Sequence, residues 1–225
     1  MNRNTAIRAL RLIASLLCAL VTLACCVGLY AYADYTPPGA LIEAWKQNNH
    51  VIGGLAIPGT DIMYPILEHP TIDDYYLNVC IDGTEGYPGS IYTNSMEGKF
   101  FDTFNTVIYG HNMRDGSYFG SLKYFLDPDF LAEHRQIRIF ALDKMHVYDI
   151  FAVVIYNEKR ITDFFPDEKL ADRQAFLDSL REDSWDGSIL LNDVPVDIDG
   201  HIVTLSTCIT DMHDNRLLIV AFEEE

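Results

Sequence analysis

Short runs of β-branched and aromatic residues, broken every few positions by Gly, Pro, Asn or Asp, set the strongest limit on how this chain folds. Val51–Ile57 is the first, closed by the turn sequence Pro58-Gly59-Thr60-Asp61, and Ile62–Leu67 reads as its partner. Pro65 cannot donate to a ladder, so it marks an edge or a bulge there. Ser90–Thr93, Thr106–Tyr109, Gln136–Leu142, Val147–Ile155, His201–Thr207 and Leu217–Phe222 continue the pattern. Many short strands with frequent turns predict a mainly β fold, a barrel or a sandwich. Three helices are expected as well. Ala40–Asn49 carries Leu41, Ile42 and Trp45. Tyr118–Phe125 carries Phe119, Leu122 and Phe125. Asp167–Ser184 opens on Asp167-Glu168, which suits a helix N-terminus.

The first 33 residues follow other rules. Arg3, Arg8 and Arg11 precede or open an uncharged run from Leu12 to Ala33. A run of about 20 apolar residues is long enough to span a bilayer as a helix. Flanking basic residues predict a cytoplasmic N-terminus. Ala31-Tyr32-Ala33 also fits a cleavage site, so a removed leader competes with a retained single-pass anchor. The expectation is residues 1–33 as cytoplasmic tip and anchor, 34–39 as linker, and 40–225 as one extracellular domain at the cell membrane.

Acidic residues begin only at Asp34. Beyond the three early arginines, 13 basic residues face 33 acidic ones. Such a surface repels phosphate, which argues against a nucleic-acid partner. Of five cysteines, only Cys80 and Cys208 lie outside the apolar run. In an oxidising exterior they form a disulfide or leave a free, working thiol.

Strand parity favours a role for Cys208. In an extended 201–208, Ile202, Thr204, Ser206 and Cys208 share one face, while Val203 and Leu205 point into a core. Seven residues, 209–215, separate Cys208 from Arg216, which opens the apolar strand Leu217–Phe222. A connection that short joins antiparallel neighbours, so Cys208 and Arg216 become adjacent. A guanidinium beside sulfur stabilises a thiolate and can hold a carbonyl oxygen that gains charge. The alternative is an Arg216 pairing with Asp211 or Asp214 of its own loop. A thiol nucleophile also needs a proton-transfer partner. Among seven histidines, His111 stands directly after an apolar strand and a Gly, and shares parity with Val107 and Tyr109. His213 lies on the acidic loop.

T-L-S-T-C at 204–208 followed by Arg216, with Y-G-H-N-M at 109–113, resembles the sortase family, and its class B members above all. D-I-M-Y-P-I-L at 61–67, D-Y-Y-L-N at 74–78 and G-S-Y-F-G-S-L-K at 116–123 agree. The resemblance covers residues 38–223. It implies a closed eight-stranded sortase-type barrel with an N-terminal helix and a helix inserted before the Cys strand. It also implies a cysteine transpeptidase with Cys208 as nucleophile, His111 as general acid/base and Arg216 positioning substrate and oxyanion. Leu77 and Ser206 match positions that line the peptide groove. The implied partners are sorting-signal peptides of secreted proteins, cut after Thr, and a cell-wall precursor or cross-bridge amine. No metal or organic cofactor is implied. Asp73 stands where some members carry Asn, and Ile209-Thr210 separate Cys208 from the first downstream carboxylate. A pilin-polymerising sortase and a non-catalytic anchored surface domain are the alternatives.

Overall fold

The structure, a computed structural model, describes residues 38–94, 101–157, 161, 165, 169–209 and 212–224, the side chains of 212–214 excepted. It is a closed barrel with helices on its outside. Chain order is helix α1 (Gly39–Gln47), β1 (Val51–Ala56), β2 (Met63–Glu68), β3 (Tyr92–Thr93), β4 (Asn105–Tyr109), α2 (Pro128–Glu133), β5 (Gln136–Phe140), β6 (Met145–Asn157), α3 (Leu170–Glu182), β7 (Ile189–Leu190), β8 (Ile202–Ile209) and β9 (Met212–Glu223). Hydrogen bonding runs β5-β1-β2-β3-β4-β8-β9-β6, and β6 pairs back onto β5. These eight strands close the ring, and the two-residue β7 adds to the side of β6.

Closure follows from alternation along the strands. Val203, Leu205, Leu217, Ile219 and Ala221 point inward, joining Ile108, Ile137, Ile139 and Val153 in the interior cluster. The alternate residues Ile202, Leu218 and Val220 join a second cluster outside the barrel, with Phe176 and Leu180 of α3. The face of β8 carrying Thr204 and Ser206 is therefore covered at Thr204 (0% exposed) and Ser206 (5%), while Cys208 at the strand end is exposed.

Pro65 obeys the edge rule. It pairs with Gly54 on one side, whereas β3 reaches only Leu67 and Glu68 on the other. The β1–β2 turn holds Gly59 at φ +80°, a conformation that favours glycine.

Several expectations are corrected. The segment Tyr118–Phe125 is not one α-helix: Tyr118 has φ +51° and the regular part is a 3-10 helix, Leu122–Leu126. Phe119, Leu122 and Phe125 are three apart and fully buried, a spacing that fits a three-residue repeat. Helix α2 follows at once. Asp127 caps it by accepting from the Asp129 and Phe130 backbone N–H groups at 2.9 and 3.5 Å, with Pro128 at its start. Helix α3 begins at Leu170, and Asp167-Glu168 lie outside the described residues. Cys80 and Cys208 are both free thiols, which removes the disulfide reading.

The expected membrane location is corrected too. Among the described residues no helix is long and apolar enough to cross a membrane, and the run Leu12–Ala33 lies outside them. A single-pass membrane location therefore has no support in the structure.

Candidate active site

The site begins with the β8–β9 hairpin. Its strands run further than the sequence pattern suggests, to Ile209 and from Met212, with an irregularity at Cys208/Ile209. Above it the register is regular and sets Cys208 opposite Arg216. Arg216 Nη1 donates to Cys208 Sγ at 3.1 Å. The planar guanidinium presents its N–H groups in a fixed fork, so one can hold sulfur while others face the groove.

The histidine arrives on the other side of β8. Strands β4 and β8 are parallel, with Tyr109 opposite Ser206. His111 and Cys208 each lie two residues further on, so parallel register carries them to the same edge of the barrel. Three bonds fix this junction. The Gly110 N–H donates to the Ser206 carbonyl at 3.2 Å, the Thr207 hydroxyl to the Gly110 carbonyl at 2.7 Å, and the Asn112 side-chain amide to the Cys208 carbonyl at 2.9 Å. Gly110 is required by space, since a Cβ there would collide with the buried Ile91 and Phe119.

His111 Nε2 lies 3.0 Å from the Leu77 carbonyl oxygen. A carbonyl only accepts, so Nε2 carries the hydrogen in this bond and Nδ1 is the ring nitrogen left to exchange a proton. The Tyr87 ring lies beside the imidazole, centroids 4.8 Å apart. Leu77 itself ends the 3-10 turn Tyr75–Leu77, whose Tyr76 hydroxyl receives the Asn48 side-chain amide at 3.1 Å and meets His50 Nδ1 at 2.8 Å. Burial raises the Tyr76 phenol above its ordinary value, against the lowering effect of the Asn48 bond, and keeps it a neutral donor.

Leu77, His111, Ser206, Cys208 and Arg216 border one groove of about 170 Å³. All five residues expected from the sequence are thus brought together. The groove also contains Asp74, Tyr92, Tyr109, Thr207, Ile161 and Leu218. The Tyr92 hydroxyl donates to Asp74 Oδ1 at 2.9 Å, and the Tyr92 and Tyr109 rings stack at 5.4 Å. Asp74 and Tyr109 lie inside the quoted motifs but carry no sequence signal for a place in the groove, and Asn112 directly follows His111. Cys80 lies apart, in a separate cavity with Tyr64, Pro65 and Tyr118. The side chain of His213, and Asp211 and Asp214 as partners for Arg216, fall outside the described side chains. Among the described residues no group of three or more His, Cys, Asp or Glu could hold a metal ion.

This geometry can deliver a nucleophilic sulfur, a proton carrier and a cationic donor to one carbonyl. A family model described as Sortase domain matches residues 55–224. The chain belongs to the sortase family. It is 34% identical over 185 residues to sortase B of Listeria monocytogenes, covering 80% of this chain and 72% of that protein. It is 29% identical over 166 residues to sortase B of Staphylococcus aureus, covering 72% of this chain and 65% of that protein. Among solved structures, sortase B from Listeria monocytogenes aligns at TM-score 0.67 with 30% identity, over 80% of this chain and 99% of that one. A Staphylococcus aureus sortase B aligns at TM-score 0.70 with 26% identity, over 82% and 86%. The eight-stranded barrel found here is therefore a class B sortase fold, and the protein is a sortase-family cysteine transpeptidase.

Proposed function

We propose that this sortase cuts a sorting signal after Thr, holds the acyl group on Cys208 and transfers it to a cell-wall peptide amine. The observation that carries this reading is the groove in which Cys208 Sγ, held by Arg216 at 3.1 Å, shares one wall with His111. Residues 40–225 form the catalytic domain, with 34–39 as its linker.

In the first half-reaction the sulfur attacks the carbonyl carbon of Thr. The C–S bond forms as the peptide C–N bond breaks. The thiol proton of Cys208 passes to His111 Nδ1 and from there to the leaving amine, while the Leu77 carbonyl holds Nε2–H and the ring plane. Negative charge on the former carbonyl oxygen is met by the Arg216 guanidinium. In the second half-reaction a neutral amine attacks the thioester, gives its extra proton to His111, and sulfur departs. Sulfur suits a transferase because a thioester resists water long enough for an amine to arrive. Leu77 and Ser206 line the peptide side of the groove.

Incubation with a library of sorting-type peptides and an added amine tests this reading. Mass spectrometry is expected to find peptides cleaved after Thr and joined to the amine. Cleavage at other bonds, or no joined product from any peptide, contradicts it.

A further inference from the structure

One ring nitrogen of His111 is fixed by a backbone group, the Leu77 carbonyl at 3.0 Å. A backbone acceptor is present whatever side chain stands at 77, so its place depends on what holds the turn Tyr75–Leu77. A single 3-10 turn has too few internal bonds to hold itself. Inside this one the Leu77 N–H donates to the Asp74 carbonyl at 3.0 Å. The other anchors come from distant parts of the chain, and three of them act through Tyr76.

The Tyr76 carbonyl accepts from the Ser90 N–H at 2.9 Å. Its ring, 2% exposed, packs with Leu41 and Ala44 of α1, Val51 of β1 and Leu67 of β2. Its hydroxyl accepts from the Asn48 side-chain amide and meets His50 Nδ1, both on the connection from α1 to β1. Asn48 is itself fixed. The same amide donates to the Ile81 carbonyl at 2.9 Å, and the side-chain oxygen accepts from the His50 N–H at 2.9 Å. The Asn48 backbone N–H closes α1 on the Ala44 carbonyl at 3.0 Å. Gly89 packs so closely on the Leu77 carbonyl that a Cβ there would collide with its oxygen. The carbonyl is thus confined by Gly89, while the residue before it is pinned by ring, carbonyl and hydroxyl.

We propose that Tyr76 is a positioning residue for the reaction: its hydroxyl, tied to Asn48 and His50, keeps the Leu77 carbonyl where it aims the His111 imidazole. The inference rests on His111 being the proton carrier. Tyr76 forms no part of the groove wall and touches no reacting atom. A slack carbonyl lets the ring turn, and Nδ1 then meets its proton partner at the wrong angle. A misplacement of about 1 Å is enough to cost up to ~10²-fold in rate.

The test uses the full chain and the single-turnover rate of acyl-enzyme formation on a sorting-type peptide, per folded molecule, in two backgrounds. Tyr76→Phe keeps the ring and removes only the hydroxyl. In the parent it is expected to lower the maximal rate roughly tenfold and to leave half-saturation by peptide unchanged. In His111→Ala, with no imidazole left to aim, it is expected to leave the residual rate unchanged. Such non-additivity marks two residues acting on one step. Asn48→Ala removes one partner of the same hydroxyl and should give a fall of roughly threefold, again only where His111 is present. It decides the matter if Tyr76→Phe does not fold. A parent rate unmoved by the change, or a fall of equal size in both backgrounds, overturns the positioning role alone. A His111→Ala chain that acylates at the parent rate overturns both this inference and the role of His111.

Discussion

The two ends of β9 set a charge beside a neighbour in opposite ways. At one end Arg216 reaches Cys208 at an exposed sulfur on the rim of a groove. At the other, Glu223 accepts from His146 Nδ1 at 2.7 Å, with the His146 side chain only 3% exposed. Burial pushes the Glu223 carboxyl up, but the hydrogen bond from His146 and its positive charge outweigh this, and the carboxyl is lowered overall. The buried pair joins β6 to β9 and serves the barrel. The exposed pair leaves its sulfur reachable and serves chemistry. The same contrast runs across β8, whose inward residues Val203 and Leu205 build the core while Ser206 and Cys208 build the groove. Stability and reactivity are thus assigned to alternate residues and opposite ends of the same strands.

Breaking the reactive end is expected to have the largest effect. His111→Ala removes the proton carrier and should lower the rate about 10²- to 10⁴-fold, against little change for His213→Ala. Steady-state kinetics on one peptide decides this, and equal losses from the two variants would remove His111 from its role. Leu205→Ala tests the other side of the division. Leu205 is fully buried in the barrel, so the change should cost about 2–5 kcal/mol in denaturant unfolding while the folded fraction keeps its turnover. A loss of turnover per folded molecule as large as that of His111→Ala would erase the distinction.

Asn112→Ala acts between the two regions. Its side chain ties the His111 loop to the Cys208 carbonyl, and its loss should let the pair drift apart. A fall of about 10- to 100-fold in kcat, with a small change in stability, is expected. Glu223 gives the smallest effect and a defined sign. Its folded value is lowered, so its contribution to stability is complete above the ordinary carboxylate value and is lost as pH falls through the lowered one. Glu223→Gln should flatten the acid limb of a stability-against-pH curve and leave neutral activity in place. An unchanged acid limb would contradict the pairing.

Much of the site was legible because it depends on local rules. A short connection between two apolar runs places Cys208 beside Arg216 by antiparallel pairing alone, and strand parity separated Leu205 from Ser206. The partnership of β4 with β8 was not local. Nothing in the spacing says that strands about a hundred positions apart pair in parallel, and the assignment of His111 came from the sortase resemblance. The burial of Thr204 and Ser206 is not local either, since the outward residues beside them, Ile202, Leu218 and Val220, pack into an outer cluster built from distant parts of the chain. The 3-10 segment escaped because apolar residues three apart fit either helix type, and the left-handed Tyr118 that precedes it carries no glycine signal. Asn112 escaped because a loop asparagine has no periodicity, and its role exists only once Cys208 is beside it.

The central claim is that sulfur, imidazole and guanidinium act on one carbonyl at the end of β8. Peptide mapping of the full chain trapped with a sorting-type substrate tests it most directly. The account predicts a hydroxylamine-labile acyl adduct on Cys208, absent from Cys208→Ala although that variant remains folded. An adduct on Cys80 or on a hydroxyl group instead, or an undiminished adduct in Cys208→Ala, would contradict it.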